Sequence, residues 1–186
     1  MNQKNCMVAQ SGGPTVAINA SLAGVIAGVA GSSVYHTVYG SLNGITGILN
    51  NDFINLTELM EKDADNLTRL AQTPAMYLGS CRYKLPEIHE DRSIYEKIFV
   101  ILNKLDIDAF IYIGGNDSMD TVDKLSRCAR IRRETISFIG VPKTIDNDLP
   151  VTDHTPGYGS AAKYVASTVR EISLDASVYQ QPAVTI

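Results

Sequence analysis

The sequence predicts an α/β fold, a three-layer sandwich in which a mostly parallel sheet is covered by helices on both faces. Three observations lead there. Short apolar runs alternate along the chain with longer segments of helical periodicity, the order that parallel strands joined by helices require. Ala109–Ile113 is a continuous apolar run of five ending in Gly114–Gly115, as expected of a strand buried on both faces. Glycine-rich loops follow two of the strand-like runs and precede helix-like ones, the position where open α/β sheets hold ligands.

Each element has its own signal. Cys6–Ala9 reads as a buried strand, and Ile18–Ala30 as a buried helix whose small residues allow close packing. Val34–Tyr39 is rich in β-branched and aromatic residues and reads as a second strand. Asp52–Asn55 is a short strand or turn, and Asp63–Leu70 a short helix. Ser93–Leu105 places Ile94, Ile98, Ile101, Leu102 and Leu105 on one helical face. After the strand at Ala109–Ile113, Ser118–Arg130 reads as a helix, Ile136–Val141 as a strand and Ser160–Leu174 as a helix. Gly140–Gly159 is the most loop-like long stretch. Pro182–Ile186 looks like the apolar opening of a further strand, which suggests a piece of a longer polypeptide.

Composition narrows the function. With 186 residues, 45% hydrophobic and 19% charged, the chain can bury a substantial core. A net charge of −4 gives no global attraction to nucleic acid or anionic membrane, so an anionic ligand must be held by local donors. Val16–Ala30, the longest apolar run, is too short to span a bilayer and carries Asn19 and Ser21. The N-terminus has no secretory pattern. The three cysteines, Cys6, Cys81 and Cys128, are widely separated and form no metal-binding spacing. Reduced thiols in a cytoplasmic protein are expected.

Four loops carry the chemistry. Ser11–Gly12–Gly13–Pro14–Thr15 joins a strand to a helix, so backbone N–H groups can approach an anion beside a helix N-terminus. Leu78–Gly79–Ser80–Cys81–Arg82–Tyr83–Lys84 offers two cations, and an arginine can grip phosphate with two hydrogen bonds. Gly114–Gly115–Asn116–Asp117–Ser118 opens another helix; one of Asn116, Asp117 and Ser118 is expected to cap it. Asp117 would repel phosphate unless a cation intervenes. Pro142–Lys143–Thr144–Ile145–Asp146–Asn147–Asp148 gathers a cation, a hydroxyl and two carboxylates just past a strand, a set suited to moving a charged group such as phosphoryl. Taken one at a time, the loops are weak signals, and a tight turn or a solvated surface is the better reading of the arginine loop and of the Asp146 loop alone.

Together, and in this order, the four loops resemble those of the phosphofructokinase family. Thr152–Asp153–His154–Thr155–Pro156–Gly157–Tyr158–Gly159–Ser160–Ala161 continues the match, which runs over essentially the whole chain. The resemblance implies a phosphotransferase that makes fructose 1,6-bisphosphate from fructose 6-phosphate in glycolysis, with Mg2+, in the cytoplasm and as a homo-oligomer when full length. Asp146 matches the base for the sugar 1-hydroxyl, and Thr144 a residue near the sugar and the transferred phosphoryl. Asp148 matches a residue supporting catalysis and the metal site. Gly12 and Arg82 match contacts to the phosphate donor, in loops that also contain Gly13, Gly115, Asn116, Asp117 and Ser118. Asn116 stands where many members have a metal-contacting aspartate, and a neutral amide is a weaker ligand for Mg2+.

Asp117 and Lys143 stand where ATP-dependent members usually have glycine, and this pair resembles the pyrophosphate-dependent branch. Asp117 would crowd and repel the α-phosphate of a nucleotide; Lys143 would meet the charge of a small donor. The alternatives are an ATP-dependent enzyme of the family and, in another class, a non-catalytic phosphate-binding or assembly module. Residues 1–186 are expected to form the N-terminal donor-binding and catalytic domain. The family's sugar site also draws on residues past Ile186, so the chain by itself is expected to be inactive.

Overall fold

The computed structural model describes residues 4–63 and 65–181. Its elements run β1 (Lys4–Gln10), α1 (Ile18–Ala30), β2 (Tyr35–Ser41), α2 (Ile45–Asn50), β3 (Phe53–Asn55), α3 (Leu56–Glu61), α4 (Asn66–Gln72), α5 (Arg92–Lys104), β4 (Ile107–Gly114), α6 (Asn116–Arg132), β5 (Ser137–Pro142) and α7 (Tyr158–Ala176). The strands form one sheet in the order β3-β2-β1-β4-β5. All neighbours are parallel except β3, which pairs antiparallel with β2.

Alternation along the two central strands makes the three layers. Cys6 and Val8 of β1, with Ala109 and Ile113 of β4, pack with α1, α3 and α4 residues such as Leu22, Leu56 and Leu70. Met7 and Ala9, with Phe110 and Tyr112, pack on the opposite face with Ile48 of α2, Phe99 and Leu102 of α5 and Leu125 of α6. Successive side chains in a strand point to opposite faces, so a strand apolar throughout must be covered twice.

The chain groups into two compact units, Met1–Lys143 and Thr144–Ile186. The first holds the sheet and both core layers. The second holds a loop and α7, a helix with no buried residue.

Most elements lie within a few residues of expectation. Two short helices were not expected. α3 is opened by a reciprocal cap: the Asn55 side chain accepts from the Glu58 N–H (3.3 Å) and donates to the Glu58 carboxylate (2.8 Å). That Asn-x-x-Glu spacing resembles a capping box and is visible in the sequence. α2, with Gly47 in its middle, carries no comparable mark. The short helix expected at Asp63–Leu70 is α4, shifted toward the C-terminus. The strand opening expected at Pro182–Ile186 lies outside the described residues.

Phe110 makes an edge contact with Phe138 at 5.8 Å between centroids and a tilted contact with Tyr112 at 5.6 Å. It is fully buried, whereas Val100 on α5 is 63% exposed. Phe110→Ala is therefore expected to lower the unfolding free energy by about 3–5 kcal/mol. Val100→Ala should stay within about 0.5 kcal/mol. Urea denaturation followed by circular dichroism checks both; equal effects would contradict this core assignment.

Candidate functional site

In the first unit, the parallel register brings three loops out side by side. Gln10 pairs with Ile113, and Gly114 with Pro142, so β1, β4 and β5 end together. The backbone continues the ladder beyond them: Ser11 N–H donates to Ile113 O (3.1 Å) and Lys143 N–H to Gly114 O (2.9 Å). The Lys143 ammonium then crosses to the first loop and donates to Gly13 O at 2.6 Å. Gly12 has φ +85°, and a Cβ there would lie 3.3 Å from Lys143 Nζ and 3.5 Å from Gly115 N. Glycine is required by the left-handed backbone and the close approach together.

Gly114 is a second forced glycine. A Cβ on it would sit 2.8 Å from Ser11 O and closer still to Ser118. Ser118 is buried, and its hydroxyl is hydrogen-bonded to that of Ser11. Asn116 and Asp117 are exposed at the start of α6. The expected side-chain cap is not made: Gly115 is the N-cap and no side chain bonds there. Asp117 sits in the first turn, where the helix dipole favours a carboxylate.

The arginine loop is tied from beneath by two buried amides that sequence reasoning did not assign to the site. Gln10 donates to Ile18 O and to Asn19 Oδ1, both at 3.2 Å, and accepts from Leu78 N–H at 3.0 Å. Asn19 donates to Thr73 O (2.9 Å) and accepts from Tyr77 N–H (2.9 Å). Ser80 donates to Gly12 O at 2.6 Å, joining this loop to the first. Arg82 and Lys84 are exposed. Asn19, which with Ser21 interrupts an otherwise apolar helix, was the signal available in sequence.

The thiols divide by burial. Burial pushes Cys6 up to about 12 and also raises Cys128. Cys81 is only half-buried, with Sγ 3.8 Å from the Tyr112 hydroxyl.

The second unit carries the remaining candidates. Thr144 Oγ1 accepts from Asp146 N–H at 2.9 Å, turning the chain so that Asp146 and Asp148 lie exposed. Asn147, at φ +58°, clasps the loop: its side chain donates to Asp153 O (3.2 Å) and accepts from Thr155 N–H (2.8 Å). Asparagine tolerates this backbone better than most residues. His154 then meets the Tyr158 ring edge-on at 4.8 Å, at the start of α7.

Among the described residues, no group of three or more His, Cys, Asp or Glu gathers to hold a metal ion. No helix among them is long and apolar enough to cross a membrane.

Glycine turns crowded at the ends of parallel strands, with Lys143 reaching from one to another, define an open, mostly parallel α/β protein. Residues 5–185 match the family described as Phosphofructokinase, and the chain belongs to that family. It is 46% identical over 175 residues to a pyrophosphate–fructose 6-phosphate 1-phosphotransferase of Xanthomonas campestris pv. campestris, covering 94% of this chain and 41% of that protein. A crystal structure of the pyrophosphate-dependent phosphofructokinase of Nitrosospira multiformis superposes with a TM-score of 0.81 at 41% identity, covering 94% of this chain and 42% of that one. An ATP-dependent 6-phosphofructokinase of Lactobacillus acidophilus is more distant, 30% identical over 180 residues, covering 96% of this chain and 50% of that protein. The chain thus spans well under half the length of its pyrophosphate-dependent relatives.

Two outcomes are expected. A maleimide under native conditions at mildly alkaline pH should modify Cys81 ahead of Cys6 and Cys128, because burial denies the other two both access and the thiolate form; peptide mass spectrometry reads the order. Asn147→Ala should speed amide hydrogen exchange at Thr155 about fivefold, since one net hydrogen bond is worth about 1 kcal/mol. Unchanged exchange would mean that the clasp does not hold the loop.

Proposed function

We propose that the full-length protein carrying this chain transfers phosphoryl from pyrophosphate to fructose 6-phosphate, giving fructose 1,6-bisphosphate as a glycolytic step. One observation carries the donor assignment. The Lys143 ammonium lies on the Gly13 carbonyl and 3.3 Å from a Cβ position on Gly12, so a fixed cation occupies the turn where ATP-dependent members usually have no side chain. The names of the more similar relatives support the same reading.

Donor binding falls to the N–H groups around Gly12, Gly13 and Gly115, to the opening of α6 at Asn116, Asp117 and Ser118, and to Arg82. Lys143 neutralises charge that moves onto the leaving phosphate. Thr144 positions the sugar and the transferred group. Asp146 accepts the proton of the sugar 1-hydroxyl as it attacks, and Asp148 supports it. Such transfer depends mainly on positioning and on neutralising charge. In the second unit the exposed Asp148 carboxylate is an oxygen donor of the kind Mg2+ takes, and in the first unit the Asn116 amide is a weaker one; this ion keeps several waters and leans on substrate phosphates. When bound it would neutralise phosphate charge. The protein is proposed to work in the cytoplasm as a homo-oligomer.

Steady-state kinetics with each donor in the full-length protein test this. The wild type should prefer pyrophosphate. Asp117→Gly should admit ATP by removing bulk and charge near the α-phosphate. Lys143→Gly should lower the rate with pyrophosphate about 10²–10³-fold while weakening donor binding less. A wild type that prefers ATP overturns the donor assignment.

A further inference from the structure

Lys124 lies two helical turns beyond the exposed start of α6 and is buried, although lysine seldom is. Its ammonium meets three oxygens: Leu85 O at 2.9 Å, Asp120 Oδ2 at 2.8 Å and Glu87 Oε1 at 3.1 Å. An ammonium has three N–H groups, so each can point at one acceptor. Hydrogen bonding to Asp120, seconded by Glu87, outweighs burial and raises Lys124 above the ordinary lysine range. It is therefore a charged group, and a buried charge is retained only where it is paired.

Two of its three partners belong to the chain just after the arginine loop. Leu85 is buried and Glu87 follows two residues on. Between them, Pro86 O accepts from the buried Tyr95 hydroxyl of α5 at 2.6 Å. The segment Leu85–Glu87 is thus fixed from two helices, by Tyr95 of α5 and by Lys124 of α6, with Arg127 of α6 at 3.9 Å from Glu87 as a longer ion pair. Arg82 and Lys84 stand immediately before it, exposed. On their other side, Leu78 is held by Gln10 and Ser80 by Gly12. The arginine loop is a short span anchored at both ends, and its C-terminal anchor hangs from the helix that opens at Asn116 and Asp117.

We propose that Lys124 is a positioning residue for the phosphoryl donor: by fixing Leu85 and Glu87 to α6, it sets where Arg82 and Lys84 stand relative to the opening of that helix. It touches no reacting atom. Losing it frees the loop end and leaves Asp120 without its cation and Glu87 with only the longer Arg127 pair at 3.9 Å, so donor affinity falls while the sugar site is spared. This rests on the proposed function for the identity of the loop's ligand.

The experiment compares wild type, Lys124→Met, Lys124→Arg and Glu87→Gln in the full-length protein. Calorimetry with pyrophosphate and Mg2+ gives the donor Kd, and steady-state kinetics give both KM values and kcat. Lys124→Met should raise the pyrophosphate Kd and KM at least tenfold, with the fructose 6-phosphate KM changed less than twofold. Lys124→Arg, which keeps the cation, should recover most of the affinity. Should Lys124→Met fail to fold, Glu87→Gln reads the same contact from its half-exposed end and should raise the donor KM about threefold. A merely structural lysine would lower the melting temperature while leaving both KM values unchanged, and that result overturns the proposal. So does an equal rise in both KM values. If the wild type binds ATP in place of pyrophosphate, the donor assignment fails, and the same tenfold rise is then required of the ATP Kd. A wild type that binds neither donor overturns both readings.

Discussion

The buried amide of Gln10 is the interaction on which the loop architecture of the first unit depends. Gln10 ends the central strand, at a point where solvent cannot satisfy its side chain. An amide left unbonded there would cost about 1–3 kcal/mol. Satisfying it requires Ile18 and Asn19 at the start of α1 and the backbone at Leu78 to converge on one place. Asn19 extends the demand to Thr73 and Tyr77. A segment without regular secondary structure is thereby seated on the sheet, and Arg82 emerges from a defined position.

The same device recurs wherever a loop must be held without strand or helix. Ser11 and Ser118 share a hydrogen bond across the two glycine turns. Lys143 crosses from the end of β5 to Gly13, and Lys124 fastens the far end of the arginine loop. In the second unit, Asn147 closes its own loop through two backbone contacts. Hydrophobic burial is non-directional and positions layers; hydrogen bonds to buried donors and acceptors position loops.

Charge is arranged locally rather than globally. A chain with net charge −4 has no long-range attraction for a polyanion. Lys143 spans glycine turns whose backbone can approach an anion, and Arg82 and Lys84 are exposed on the loop that Ser80 ties to Gly12. Asp117 lies exposed in the first turn of α6, where the helix dipole favours a carboxylate. Compensation of Asp120 and Glu87 by Lys124 keeps further negative charge from accumulating on that side.

The sequence by itself determined the sheet, the order of strands and helices, and the loops that gather at the strand ends. Apolar runs at Cys6–Ala9 and Ala109–Ile113 leave a chain few ways to bury both faces, and the Gly12–Gly13 and Gly114–Gly115 pairs mark where loops begin, although it is packing against Ser11 and Ser118 that forces glycine at Gly114. The motif around Asp146 was legible because covalent order alone sets its residues side by side. Tertiary structure decided the rest. Gln10, Lys124 and Asn147 look like ordinary polar residues until folding shows which carbonyls they reach. The helix at Asn116 is capped by no side chain, against local preference, because Gly115 takes the N-cap position, while Ser118 turns inward to meet Ser11. Those partners lie up to 107 residues apart, and no local pattern encodes a hydrogen bond across that separation.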